Sequence, residues 1–176
     1  MPARPTDAAS GASPAAPRSF VYDVFLVFDV ATPATLERVS AVSTALKRKN
    51  ASTALTLAGS GAEVEARTFK MIEQSAIAVV FVSQGLVLKV DSDEDDNCKS
   101  AFDHCVRRLG PKKLIPAVLE AKMQGVATWA GPVGAILGKS LVIDATEAAD
   151  KVADKIMEEV LKRDPAGAHF QQMVWL

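Results

Sequence analysis

The 176-residue chain has few of the features that mark specialised protein classes. Its two cysteines cannot build a disulfide framework, which favours a reducing compartment. No apolar run approaches the ~18 residues that span a bilayer, and the first residues have no apolar signal-peptide core. A net charge of −1 gives no overall attraction to nucleic acid or anionic lipid. These absences predict a cytoplasmic globular protein that binds neither nucleic acid nor membrane.

The first 19 residues also lack every branched aliphatic and aromatic side chain. Such a segment cannot bury enough apolar surface to offset the entropy of ordering it. At the other end, Asp164-Pro165-Ala166-Gly167 is typical of a helix end. We therefore predict a disordered tail or linker over 1–19, one domain over 20–163, and a C-terminal tail over 164–176.

Between these ends, short apolar runs alternate with segments of helical spacing. The runs that predict strands are 21–28, 53–57, 77–82, 114–119 and 140–143. Because the runs are continuously apolar, we expect a parallel sheet covered on both faces. The predicted fold class is α/β: a flavodoxin-like, doubly wound, five-stranded parallel sheet flanked by helices. Ligands of such sheets bind beyond the carboxyl ends of the strands, which here are followed by loops 28–33, 57–63 and 83–97.

Five segments also follow one another in an order found in one domain family. They are Tyr22-Asp23-Val24-Phe25-Leu26, Ile72 to Ser83, Leu114 to Val118, Trp129 to Gly134, and Gly138 to Asp144. In these segments the chain resembles Toll/interleukin receptor (TIR) domains, whose first strand commonly reads Tyr-Asp-Val-Phe-Ile/Leu-Ser. The resemblance covers about residues 20–163.

The resemblance implies one of two activities. Many TIR domains are adaptor modules that associate with other TIR domains in innate-immune signal transduction. Others are hydrolases that cleave the nicotinamide–ribose bond of NAD, sometimes in assemblies where two subunits complete the site. The implied partners are other TIR domains in a homo-oligomer or filament, and NAD is implied as a substrate or ligand, not as a permanently bound cofactor.

The NAD-cleaving members carry a glutamate in the pattern Trp/Asn-Cys-x-x-Glu-Leu/Phe. The matching segment here is Asn97-Cys98-Lys99-Ser100-Ala101-Phe102, so Ala101 occupies the catalytic position. A carboxylate there stabilises the positive charge that develops on the sugar, which a methyl group cannot do. From the resemblance we predict a TIR-like signalling domain of the NAD-hydrolase type that binds NAD and self-assembles but is nearly inactive as an NAD glycohydrolase as written. The alternative is a non-enzymatic adaptor module that acts by TIR–TIR interaction. Two explanations stay open: Ala101 is an ordinary residue of an adaptor domain, or it is an engineered replacement of glutamate.

The resemblance also implies which residues would contact NAD. They are Phe28 and Asp29 after the first strand, Leu57, Ala58 and Gly59 after the second, Ser83 after the third, and Cys98 on the following helix. The loop from Leu57 to Ala62 is expected to contact partner domains as well. Ala101→Glu is expected to produce, or restore, measurable release of nicotinamide from NAD.

Other candidate sites fit less well. The acidic run Asp91 to Asp96 begins like a calcium loop, but it has Asp96 where the loop needs Gly and Phe102 where it needs Glu. We expect a solvated loop whose Asp95 or Asp96 caps the next helix, and no metal site. Cys98 and Cys105 lie ~10 Å apart along one helix and are expected to remain thiols.

Three further features have ordinary structural explanations. His104 lies beside Cys105, and neighbours on a helix do not converge on a metal. We expect Trp129 to be a packing residue. A receiver-like phosphoacceptor domain is disfavoured, because the third strand ends in Val82-Ser83 and not in Asp.

Overall fold

The computed structural model describes residues 20–165, so the predicted N-terminal tail and most of the predicted C-terminal tail lie outside the described residues. The described chain forms five strands: β1 (Tyr22–Val27), β2 (Thr53–Leu55), β3 (Ser75–Val82), β4 (Leu114–Val118) and β5 (Ile143–Asp144). All strand pairs are parallel, and the order across the sheet is β2-β1-β3-β4-β5. This confirms the predicted flavodoxin-like α/β fold.

Within residues 20–165, six α-helices cover the two faces of the sheet. They are α1 (Pro33–Arg48), α2 (Ala62–Glu73), α3 (Gln84–Asp91), α4 (Asn97–Leu109), α5 (Gly131–Leu137) and α6 (Ala149–Arg163). Helices α1 and α6 enclose one hydrophobic core against the sheet, and α2 to α5 enclose the other. Short 3-10 turns lie at Pro111–Lys113, Ala121–Met123 and Val126–Thr128. None of the helices within residues 20–165 is long and apolar enough to cross a membrane.

The central strand β3 shows why the strand sequences are continuously apolar. All eight of its residues are buried, and it pairs with β1 on one side and β4 on the other. Successive side chains of a strand point to opposite faces. Accordingly, Ile77 and Val79 belong to the core under α1 and α6, while Ala78 and Val80 belong to the core under α2 to α5.

The segment predicted as a loop over 83–97 contains helix α3. Ser83 caps this helix, because its Oγ accepts a 3.2 Å hydrogen bond from the Leu86 backbone N–H. The helix buries Leu86, Val87 and Val90 against the sheet. The sequence did not predict this helix, because only the first half of the segment 83–97 has apolar residues at helical spacing. The second half is the acidic run.

Two threonines that precede helices do not cap them. Thr32 precedes α1 but makes no capping hydrogen bond; its hydroxyl donates to Asp29 Oδ2 at 3.1 Å. The last helix begins at Ala149, three residues after Thr146. The backbone N–H and the hydroxyl of Thr146 both donate to Asp144 Oδ1, which holds that residue in a turn.

Strand β4 accommodates a proline because β5 is short. It pairs with β5 only at Ala117 and Val118. The Ala145 N–H donates to the Val118 carbonyl, so Val118, and Pro116 two residues before it, direct their backbone groups toward β5. Pro116 lies before the point where β5 begins to pair, so its missing N–H leaves no ladder hydrogen bond unmade.

Candidate functional site

Lys89 on α3 joins two of the predicted site loops at the carboxyl edge of the sheet. Its ammonium donates a 2.7 Å hydrogen bond to Asp29 Oδ1 and lies 3.5 Å from Asp96 Oδ2. Asp29 also accepts hydrogen bonds of 3.1 Å from the Ala31 N–H and the Thr32 hydroxyl. The structure thus brings together the loops that follow β1 and α3.

The charges of this cluster stabilise each other. Burial alone raises the pKa of Asp29, but the hydrogen bonds from Lys89, Ala31 and Thr32 and the charge of Lys89 outweigh it and lower the pKa. Burial likewise lowers the pKa of Lys89, but the hydrogen bond to Asp29 and the charges of Asp29 and Asp96 raise it overall. Asp29 is therefore an ionised anion with three donors, and a carboxylate of lowered pKa is a poor general base.

Gly85 allows α3 to pass directly over Asp29. A Cβ built on Gly85 would lie 2.3 Å from Asp29 Oδ2, which is closer than such atoms can approach. Gly85, the second residue after the Ser83 cap, therefore has no room for a side chain beyond hydrogen near Asp29. Glycine at this position lets Lys89, one turn further along α3, reach the same carboxylate.

Asn97, the first residue of α4, ties this helix to the loop after β2. Its side chain is buried, and Nδ2 donates to the Leu57 carbonyl at 2.7 Å and to Thr68 Oγ1 at 3.4 Å. Its Oδ1 is buried and has no hydrogen-bond partner among the described residues. The residue before it, Asp96, caps α4 by accepting from the Cys98 N–H at 2.8 Å, which confirms the predicted cap.

An acidic cleft of about 270 Å³ opens between the N-termini of α2 and α4. We call it the α2/α4 cleft; it is lined by Ser60, Gly61, Ala62, Glu65, Asp95, Asp96, Asn97 and Ser100. Asp96 is paired with Lys89, whereas Glu65 and Asp95 form no ion pair within residues 20–165. In the same part of the chain, no group of three or more His, Cys, Asp or Glu side chains is arranged to hold a metal ion.

Most of the residues predicted to contact NAD are closed off from solvent. Phe28, Ser83 and Cys98 are buried, and the Ser83 hydroxyl is occupied by its capping bond. Burial raises the pKa of the Cys98 thiol well above its ordinary value, so this sulfur is an inert thiol at neutral pH. Ala58 and Gly59 are exposed and Leu57 is half-buried, so the loop after β2 is the part of the predicted set that reaches the surface.

Ala101, at the predicted catalytic position, faces the core. Its exposed fraction is 0%, and it belongs to the core under α2 to α5 together with Phe102 and Cys105. The residue of α4 that lines the α2/α4 cleft beside Asn97 is Ser100. A side chain at position 101 is therefore directed away from the open space near this helix.

The predictions for Cys98, Cys105 and Trp129 are confirmed. Cys98 and Cys105 are free, buried thiols. Trp129 is a packing residue whose indole N–H donates to the Met123 carbonyl at 2.8 Å. The ring of His104 is stacked on the ring of Phe69, with a centroid distance of 3.9 Å.

Glu65, Asn97 and Ser100 were not predicted to line one site. Glu65 lies in the first turn of α2, and Asn97 and Ser100 lie in the first turn of α4. The available signal was the prediction that the loops after the second and third strands meet at one edge. The meeting of these loops locates the edge of the sheet, but it does not indicate which side chains of the following helices face the α2/α4 cleft.

No protein-family model matches the chain, and no curated protein is significantly similar to it.

Proposed function

We propose that the chain is a TIR-like interaction module that associates with other copies of itself in cytoplasmic signalling and does not cleave NAD. The observation that carries this proposal is the complete burial of Ala101. In the NAD-cleaving pattern this position supplies the carboxylate that stabilises the developing sugar cation. A position that packs into the core favours the adaptor explanation of Ala101 over the loss of a solvent-facing catalytic group.

The electrostatics of the carboxyl edge also disfavour a dinucleotide. The α2/α4 cleft has a volume of about 270 Å³, which is below the roughly 300–1,000 Å³ of typical small-molecule sites. Glu65, Asp95 and Asp96 line it, and carboxylates repel the anionic pyrophosphate of NAD. The carboxylate of Asp29, predicted to contact NAD, is buried and already bonded to Lys89.

The loop after β2 is the surface that best fits a role in association. Its residues Ala58 to Gly61 are exposed at the carboxyl edge, and Gly59 and Gly61 both adopt φ of +104°. Such a conformation requires glycine, so the loop has a defined shape that other residues would disturb. A shaped and exposed loop beside an acidic cleft is suited to recognising a protein surface.

Two measurements on the same samples test the proposal. Light scattering over a concentration series is expected to show reversible growth of the mean mass, while nicotinamide release from NAD stays at background. Gly59→Pro imposes φ near −65° on a residue at +104°, and we expect it to weaken association without unfolding the domain. Release of nicotinamide above background by the associated protein would overturn the proposal in favour of a hydrolase, and a constant monomer mass would overturn self-association.

A further inference from the structure

We infer that the α2/α4 cleft binds the basic end of the α2–α4 helix pair of a second copy of this chain. The inference rests on the self-association proposed above and assigns the two surfaces that meet. The acidic surface is the cleft at the N-termini of α2 and α4. The basic surface, called here the basic end, comprises Lys70, Arg107, Arg108 and Lys112 at the C-termini of the same helices.

The cleft has the chemistry of a receptor for a cationic side chain. Glu65 and Asp95 line it and have no ion-pair partner among the described residues, so two carboxylates are available to a ligand. Asn97 lines the same cleft, is only 8% exposed, and its buried Oδ1 accepts no hydrogen bond from any described residue. Guanidinium and ammonium groups are donors without acceptors, and they match the two carboxylates that line this cleft without an ion-pair partner among the described residues.

An anion fits the cleft less well, although two helix N-termini border it. Free N–H groups and the helix dipole at such termini attract anions. Here Asp96 already occupies the α4 terminus by accepting from the Cys98 N–H at 2.8 Å. With Glu65 and Asp95 added, the side-chain charge around the cleft is negative, and Lys89 is the cation paired there, to Asp96 and Asp29.

The basic end supplies the matching cations. Arg107 and Lys112 are exposed, and neither forms an ion pair in the part of the chain that the structure describes. Arg108, beside them, lies 3.3 Å from Glu73. The basic end thus presents cations, and the cleft presents carboxylates, that have no ion-pair partner among the described residues.

The two surfaces of one copy cannot satisfy each other. They lie at opposite ends of α4, which has 13 residues and is therefore about 20 Å long. At that separation in water the attraction is largely screened at physiological salt. Both sets of charges are therefore available only to another molecule, and a second copy carries the complement of each.

A charge-swap experiment tests the pairing with the full chain. One variant carries Glu65→Lys and Asp95→Lys, and the other carries Arg107→Glu and Lys112→Glu. Each is expected to self-associate about tenfold more weakly than the parent chain, because one surface now repels its complement. An equimolar mixture is expected to regain association, since each reversed surface then meets an opposite charge on the other variant. The matched controls are Glu63→Lys, on α2 outside the cleft, and Lys47→Glu, on α1.

The outcomes distinguish a failure of self-association from a failure of the pairing between the cleft and the basic end. If the parent chain stays monomeric, self-association itself fails and the pairing falls with it. If the parent associates but both variants and their mixture associate equally well, the module uses another surface and only this inference is wrong. Raising salt from about 0.1 M to about 1 M shortens the Debye length from about 10 Å to about 3 Å and needs no substitution. Association of the parent that does not weaken under this change would also overturn the pairing.

Discussion

The ammonium of Lys89 and the carboxylate of Asp29 form a 2.7 Å hydrogen-bonded ion pair across 60 residues of sequence. The Asp29 side chain is 4% exposed and that of Lys89 is 27% exposed, so the pair is largely shielded from water. Helix α3 has only eight residues, too few to be stable alone in water. The ion pair and the apolar contacts of Leu86, Val87 and Val90 hold this helix over the carboxyl end of β1.

Removing the cation of this pair should destabilise the domain strongly. Lys89→Met leaves a buried carboxylate without its counter-charge, although the Ala31 and Thr32 donors remain. We expect the free energy of unfolding to fall by about 3 kcal/mol, at the lower end of the cost of breaking a buried pair. Urea unfolding monitored by circular dichroism measures this loss.

The matched control is Lys122→Met, because Lys122 pairs with Glu120 at 3.1 Å on the surface, where the two side chains are 60% and 33% exposed. It should cost less than about 1 kcal/mol. The double variant Asp29→Asn/Lys89→Met should lose less than the sum of its two single variants, because the unpaired charge is gone. Equal losses for Lys89→Met and Lys122→Met would show that the buried pair stabilises the domain no more than the surface pair does.

Gly85→Ala should destabilise the domain although alanine favours helices. In an open helix this change is expected to stabilise by up to about 1 kcal/mol. Here the new methyl group would lie 2.3 Å from Asp29 Oδ2, so α3 or the ion pair has to shift. We expect a loss of about 1–3 kcal/mol, as for other overpacked sites, measured by the urea midpoint. Gly125→Ala is the control, since its nearest neighbouring atom lies 4.0 Å away, and any stabilisation by Gly85→Ala would contradict the close approach.

His104 should make stability depend on pH in the window between its lowered pKa in the folded state and the ordinary value of 6.5. Burial lowers the pKa of His104, and although Glu73, 3.4 Å away, acts in the opposite direction, the net pKa lies below the ordinary 6.5. The folded state therefore holds fewer protons than the unfolded state in this window, and the free energy of unfolding falls as pH drops through it. Urea midpoints at several pH values measure the slope.

Two variants test whether His104 causes this dependence of stability on pH. His104→Phe preserves a ring that can stack on Phe69 and should flatten the dependence. Glu73→Gln removes the charge that raises the pKa of His104, so it should steepen the dependence. A slope that survives unchanged in His104→Phe would belong to other groups.

The fold could be predicted because its strands are buried on both faces. In β1, β3 and β4 this burial demands continuous apolar runs, which are visible in the sequence. Strand β5 has only two residues and begins three residues later than the predicted run at 140–143, since a strand this short is defined by its neighbour β4. Helix α3 escaped prediction because Ser83 and a brief apolar stretch are its only local signals.

The site was predictable only to the level of its edge. Topology indicates that loops 28–33, 57–63 and 83–97 converge, and the contacts of Lys89 with Asp29 and Asp96 and of Asn97 with Leu57 bring them together. Which side of a helix faces open space depends on how that helix is rotated against the sheet. For α4 this rotation buries Ala101 and turns Ser100 to the cleft, and one residue of difference decides between core and surface.

Ala101→Glu is the substitution that separates the two explanations of Ala101. From the sequence alone it is expected to produce, or restore, nicotinamide release. With position 101 at 0% exposure, we expect instead a loss of stability on the order of 3 kcal/mol, from overpacking and from a buried carboxylate without a partner, and no nicotinamide release. Ser100→Glu, one position earlier at the half-buried surface, is the matched control and should cost less than about 1 kcal/mol. Urea unfolding and an NAD assay at high protein concentration measure both effects. A folded Ala101→Glu protein that releases nicotinamide faster than the Ser100→Glu protein would show that helix α4 can turn this side chain toward NAD, and the hydrolase explanation would then replace the adaptor one.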